Sequence, residues 1–292
     1  MTVGTDANEQ ADALASVLRE WRRIAVAVSG GVDSMTLAAF AHQLGDVEVE
    51  MFHAVSAAVP SSATARVRRH AEAQRWRLHL IDAGEFADPD YRANPVNRCF
   101  YCKTHLYGAI VARTDAVVVS GTNTDDLTDY RPGLRAADTH RVQHPYVAAG
   151  LDKAGVRAIA RVLGLTDVAE LPAAPCLASR IETGIPIVAR TLGIVDEIET
   201  AIRAAINPEA VRCRVRTDKV VIELDAAALS RLSETERTRI AAQAMAAWTA
   251  GGRNPLRIEF SSYRRGASFR HPTPGELPRV QPAETPKAVQ RP

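Results

Sequence analysis

The chain predicts an α/β protein, with a Rossmann-like domain built on a parallel sheet and then a smaller α+β domain. Three observations carry this. The first half alternates helical and strand patterns, the strands are short β-branched runs, and from about Ile181 the order of elements changes. A length of 292 residues fits two domains of ordinary size. In order, Leu14, Val17, Leu18 and Trp21 recur at helical spacing, as do Leu37, Phe40, Ala41 and Leu44, and later Val156, Ile159, Ala160 and Leu163. Each set predicts a helix with one buried face. Between them lie the strand-like runs 23–29, 46–55, 76–82 and 115–121, so crossover units should set a parallel sheet between helical layers. After Ile181 the pattern reads helix 188–205, strands 210–216 and 219–225, helix 235–249 and strand 255–260. The expected division is residues 1–180, 181–270 and a tail, 271–292, whose proline content and lack of apolar pattern predict disorder.

Composition narrows the function. With 46% hydrophobic residues the chain can bury a sizeable core, and a net charge of +2 supplies no global field for nucleic acid or an anionic membrane. No apolar run reaches the roughly 18 residues a membrane span needs, and the first ten residues are polar, so the expectation is a soluble, cytoplasmic protein. Four cysteines (Cys99, Cys102, Cys176, Cys213) are too few for a disulfide scaffold in a chain this long.

The stretch Ser29, Gly30, Gly31, Asp33 and Ser34 stands where the first strand ends and a helix begins. Two glycines let backbone approach an anion, and a helix start directs free amides toward it. This predicts a phosphate cradle, although the spacing is not that of a Walker A loop. A second loop, Gly121, Thr122, Asn123, Asp125, Asp126 and Asp129, leaves the fourth strand at the same carboxyl edge, where open α/β sheets collect ligands. Its carboxylates read as a solvated acidic loop or, beside a triphosphate, as Mg²⁺ ligands, with Asp125 the candidate.

Cys99 and Cys102 have i, i+3 spacing in the first turn of an expected helix, 99–112, which would lower their pKa values. Two further zinc ligands at a matching spacing are missing from the sequence. Cys176 has Ser179 and Arg180 close by, and reads either as a thiolate or as a small buried residue. Cys213 alternates with Val211 and Val215 toward a core. The opposite face carries Arg212, Arg214 and Arg216, a row suited to phosphate or carboxylate, or else a solvated face in which Arg212 pairs across to Glu223.

The string SGGVDS resembles the pyrophosphate-binding (PP) loop of the ATP pyrophosphatase superfamily. The blocks NPVNRCFYCKTHLY, SGTNTDDLTDYRPGLRAA, GLDKAGVRAIARVLGL and PAAPCLASRIETGIPI together resemble the LarE family of ATP-dependent sulfur transferases over roughly residues 10–262. That resemblance implies adenylation of carboxylates of a pyridinium dicarboxylate mononucleotide and their conversion to thiocarboxylates, in making the nickel-pincer nucleotide. Carried across, Ser29, Gly30, Gly31, Asp33 and Ser34 would hold ATP phosphates with Mg²⁺, and Gly121, Thr122 and Asn123 would lie beside the nucleotide. Cys176 would bear the sulfur, flanked by Ser179 and Arg180 as anion contacts. Glu199, Arg212 and Arg214 fall near the family's acidic and substrate-phosphate positions, in a less similar stretch where a two-residue slip is open.

The family uses either one sacrificial cysteine, left as dehydroalanine, or three cysteines around a [4Fe-4S] cluster that carries an extra sulfide. Cys99, Cys102 and Cys176 resemble the three-cysteine form. The implied partners are a small nucleotide substrate, further copies of the chain as a homo-oligomer and a nickel-inserting enzyme that takes the product, with neither nucleic acid nor membrane. A tRNA-thiolating enzyme would need a basic surface beyond the short RVRRH string. An NAD synthetase-like amide ligase would leave the cysteines without a task. A nucleotide-binding module without catalysis would release no pyrophosphate.

Overall fold

The computed structural model describes residues 3–128, 131–264 and 266–268, with side chains from Ala7 onward. Helix α1 (Val3–Leu18) leads to β1 (Arg23–Ala27), α2 (Val32–Leu44), β2 (Glu48–Ala54), α3 (Ser61–Gln74) and β3 (Leu78–Ile81). A short α4 (Pro89–Arg92) and the longer α5 (Arg98–Val111) precede β4 (Val117–Val119). Then come α6 (Pro132–Thr139), α7 (Pro145–Ala148), α8 (Lys153–Val162) and α9 (Thr166–Ala169). Each of the four expected strands of the first half is present.

These strands form one parallel sheet in the order β3-β2-β1-β4. Because β1 pairs with β2 on one side and β4 on the other, the chain reverses its direction of sheet growth at β1. The crevice beyond the carboxyl ends of β1 and β4 is therefore the natural ligand position of this topology. Alternation along β1 feeds two cores: Ile24, Val26 and Val28 face the layer of α1, α2 and α8, whereas Ala25 and Ala27 face that of α5 and α6. Both faces being covered is why the strands read as continuous apolar runs.

The second unit begins with α10 (Ala189–Ile206), followed by β5 (Val211–Val215), β6 (Lys219–Leu224), α11 (Ala226–Arg231), α12 (Glu234–Ala250) and β7 (Arg257–Ser262). Its sheet is mixed, β5 antiparallel and β7 parallel to β6. Ile198, Val211, Cys213, Ile222 and Trp248 share its core, and Cys213 is fully buried as its alternation predicts. Residues that precede it in sequence join the same core, among them Ala58, Tyr91, Leu177 and Ala178. Helix α11 was not expected; its signal is Asp225, whose carboxylate caps the Ala228 amide at 2.8 Å. Helix α12 starts with a capping box between Ser233 and Glu236. Among the described residues no helix is long and apolar enough to cross a membrane. Asp129 and the tail 271–292 lie outside the described residues.

Candidate functional site

The loop after β1 is shaped by backbone constraints. Gly30 has φ +82°, and a Cβ there would meet the Ala63 carbonyl at 2.9 Å, so α3 packs directly under the loop. Arg66 of α3 donates to the Gly30 carbonyl at 2.7 Å. Ser34 Oγ accepts from the Ser29 amide at 3.0 Å and lies 3.0 Å from Ser29 Oγ, tying the loop to the first turn of α2. No side chain caps that helix at Gly31. Its first amides keep their donor capacity and the positive end of the helix dipole, the properties an anion requires.

The loop after β4 closes on the same turn. A Cβ on Gly121 would meet the Asp33 carbonyl carbon and the Ser34 nitrogen at 2.9 Å, so only glycine permits this approach. Asn123 donates to Asp33 at 3.2 Å and forms a capping box with Asp126, which also pairs with Arg131 at 2.6 Å. Asp126 is thereby occupied in holding the loop, and Asp125 accepts from the Lys153 amide at 3.2 Å. Among the described residues no group of three His, Cys, Asp or Glu side chains is arranged to hold a metal ion. Asp33 and Asp125 do fit the smaller demand of Mg²⁺, which takes one or two carboxylates and completes its shell with phosphate and water.

Lys153 is the residue that sequence reasoning missed here. Its ammonium bonds both Asp33 oxygens, at 2.6 and 2.8 Å, across 120 residues of sequence. A signal existed: Lys153 directly follows the α8 N-cap Asp152, and a cation at a helix start opposes the dipole unless an anion holds it. Tyr146, fully buried, donates to the Asp33 carbonyl at 3.0 Å. Ser120 Oγ lies 3.0 Å from Thr122 Oγ1 and 2.9 Å from His144 Nδ1, so Thr122 is held by a relay that also reaches His144.

The three cysteines named above act on one another. Burial first, and then Cys176, push the Cys99 thiol up, and the same two causes push Cys102 up to about 12. This corrects the expectation of lowered thiol pKa values at a helix start. Loss of water and mutual repulsion between developing thiolates outweigh the amide dipoles. Tyr107 and then the three thiols raise the Lys103 ammonium against its own burial, and Lys103 in turn contributes to lowering His144, behind burial itself. The raised thiols of Cys99 and Cys102, with Cys176 acting on both, suit a cationic guest, which would deprotonate them as it binds.

The loop carrying Cys176 is stapled from behind. Arg180 Nη1 donates to the carbonyls of Pro175 at 2.6 Å and Cys176 at 3.2 Å, while Nε and Nη2 each grip a Glu199 oxygen at 2.9 Å. Arg203 and the Cys213 amide complete the shell of Glu199. Burial pushes the Glu199 carboxyl up, but Arg180, the Cys213 amide and Arg203 together outweigh it and hold the group below its ordinary range. The arginine row differs from the reading of a solvated face with Arg212 paired to Glu223. Strand β5 is buried on both faces, so Arg212 and Arg214 do not form a solvated surface. Arg212 lies opposite Glu223 in register, yet the ion pair is diagonal, Arg214 to Glu223 at 2.9 Å. Arg214 also donates to the Ser179 carbonyl at 3.0 Å. Arg216 pairs with Glu182 at 2.5 Å. Arg212 donates to the Val211 and Ala173 carbonyls, and its buried Nε has no partner among the described residues.

Support for the phosphate loop is pH-sensitive. His53 of β2 donates from Nδ1 to the Val28 carbonyl at 2.8 Å and accepts at Nε2 from Thr64 at 2.9 Å. Burial lowers the pKa of His53, and likewise of His140 and His144, below the ordinary 6.5. A depressed histidine is neutral in the fold while the unfolded chain takes up protons first. Its stabilisation is therefore full above pH 6.5 and shrinks as the pH falls below it. The melting temperature should drop between pH 7 and 5, and His53→Gln should flatten part of that drop; a profile level across this range in the wild type would contradict the assignment.

No family model matches the chain. It is 34% identical over 212 residues to the uncharacterized protein slr1717 of Synechocystis sp., covering 70% of this chain and 77% of that one. It is 28% identical over 216 residues to the pyridinium-3,5-bisthiocarboxylic acid mononucleotide synthase of Lactiplantibacillus plantarum, covering 72% and 78%. The uncharacterized protein MJ0830 of Methanocaldococcus jannaschii is 26% identical over 208 residues, covering 70% and 78%. A match of this extent to the Synechocystis protein, with the synthase similar over a stretch of nearly the same length, means that the chain belongs to the family of slr1717, a LarE-like family.

Proposed function

We propose that the chain is an ATP-dependent sulfur transferase that acts on pyridinium-3,5-biscarboxylic acid mononucleotide in nickel-pincer nucleotide synthesis. The observation that carries this reading is the closure of two loops at one sheet edge, Gly121 packed against the Asp33–Ser34 turn and Asn123 and Lys153 bonded to Asp33, which forms the anion cradle that an ATP-dependent step needs. The synthase of L. plantarum, whose name states a bisthiocarboxylic product, supports it.

In this reading a substrate carboxylate oxygen attacks the α-phosphorus of ATP and pyrophosphate leaves. Sulfur then attacks the acyl carbon, and AMP departs with the original oxygen. The α2 amides, Ser29 and Ser34 receive phosphate oxygens. Lys153 leaves Asp33 for the departing pyrophosphate, which frees Asp33 to join Asp125 at Mg²⁺. Glu199 and Arg180 set the Cys176 loop, and Arg212, with its unpartnered Nε, receives the substrate phosphate alongside Arg214. Cys99, Cys102 and Cys176 would hold a [4Fe-4S] cluster, which would supply sulfide for the transfer. The reading includes a homo-oligomer and passage of the product to a nickel-inserting enzyme.

Pyrophosphate release dependent on the dicarboxylate nucleotide tests the first half-reaction. Ser34→Ala, Asp33→Asn and Lys153→Met should each lower it by about 10² or more while circular dichroism and melting stay near wild type. Unchanged release in all three variants would sink the role of this loop.

A further inference from the structure

Two polar atoms beside the cysteines have no task in the reading above. Tyr91 is 1% exposed and Glu85 3%, and among the described residues neither Tyr91 Oη nor Glu85 Oε2 has a hydrogen-bond partner. Buried polar atoms without partners are uncommon because each forfeits its bonds to water, so two at one place call for an explanation. Both lie within electrostatic reach of the thiols: Cys176 and Cys102 act on the Tyr91 phenol, and Glu85 acts on Tyr91 and on Cys102. The ring is locked, edge-on to Phe86 at 5.4 Å and packed in the core that holds Leu177 and Ala178, the two residues after Cys176. Burial, followed by those two cysteines, raises the phenol well above its ordinary range, so the oxygen keeps its proton and is a donor. A fixed, protonated, unpartnered O–H in the core against which Cys102 and Cys176 pack suits an electron-rich sulfur as its acceptor.

We propose that Tyr91 Oη donates a hydrogen bond to the sulfur held at Cys99, Cys102 and Cys176 for transfer, and that Glu85 forms the other polar wall of the same site. This deepens the sulfur-transfer reading and rests on it. It applies to either source of sulfur, a cluster-borne sulfide or Cys176 as it reacts: the resting thiol makes no bond to Tyr91 Oη, and a thiolate formed there would draw the free O–H.

Tyr91→Phe removes only the unpartnered oxygen and keeps the ring, so the melting temperature should stay level or rise. If anaerobically reconstituted wild-type protein contains iron, the variant should contain as much. Its midpoint potential should move negative, because donors to sulfur stabilise the reduced state, and single-turnover sulfur transfer should slow about tenfold. If the wild type is free of iron and forms dehydroalanine at Cys176, the variant should form it about tenfold more slowly. Potential and transfer rates equal to wild type would overturn the proposal and leave the reading intact; that is the result if the phenol serves Glu85 through a water. Wild-type protein that yields no thiocarboxylate, holds no iron and forms no dehydroalanine would instead overturn the reading itself, and the donor role with it.

Discussion

Glu199→Ala is expected to cost the protein about 3–5 kcal/mol, the loss typical when one partner of a buried ion pair is removed. Glu199 is fully buried and Arg180 is 1% exposed, so the alanine variant leaves a guanidinium inside the protein with no counter-charge. It also orphans the Cys213 amide and frees the loop that Arg180 holds by the Pro175 and Cys176 carbonyls. Urea unfolding followed by fluorescence measures the loss. Glu199→Gln, which keeps the shape and an acceptor oxygen, should lose less, and Arg203→Ala, at 39% exposure, under about 1 kcal/mol. A Glu199→Ala variant within 1 kcal/mol of wild type would mean that the network is not the staple described. The sign of the pH effect follows from the depressed carboxyl. The stabilisation is full above the ordinary glutamate value of 4.5 and is lost as the pH falls through the folded value, a window separate from that of the histidines.

Replacement of Cys176 by serine should abolish thiocarboxylate formation while nucleotide-dependent pyrophosphate release continues, because activation of the carboxylate precedes the need for sulfur. Prepared without oxygen, the wild type should be brown and contain about four irons per chain. Cys99→Ser, Cys102→Ser and Cys176→Ser should each lose the iron, whereas Cys213→Ala should keep it, its sulfur being sealed in the core of the second unit. Iron counts, visible spectra and peptide mass spectrometry read the outcome. Colourless wild-type protein that reacts once and carries dehydroalanine at position 176 would establish the sacrificial route and remove Cys99 and Cys102 from the chemistry.

Local pattern determined a large share of this protein. Short β-branched runs located the strands of the first sheet, and helical spacing located α2 and α8, because a helix's buried face repeats with its own period; α3 had no such signal. The glycine and serine loop between β1 and α2 was equally legible, since backbone approach and free amides belong to a single turn. What only the tertiary structure decided are the contacts that join distant segments and the water they exclude. Lys153 meets Asp33 across 120 residues, and nothing within either segment encodes that pairing beyond an ill-placed cation at a helix start. The thiols of Cys99 and Cys102 sit in a first helical turn, as their spacing predicts, yet their proton affinity moves the opposite way because Cys176 and the surrounding core arrive from elsewhere. Arg212 and Arg214 alternate as a surface row should, and they are buried because the second face of β5 is covered by segments from outside the strand, the 173–180 loop among them. Periodicity reports one element's own faces, whereas burial and charge depend on what the rest of the chain lays against them.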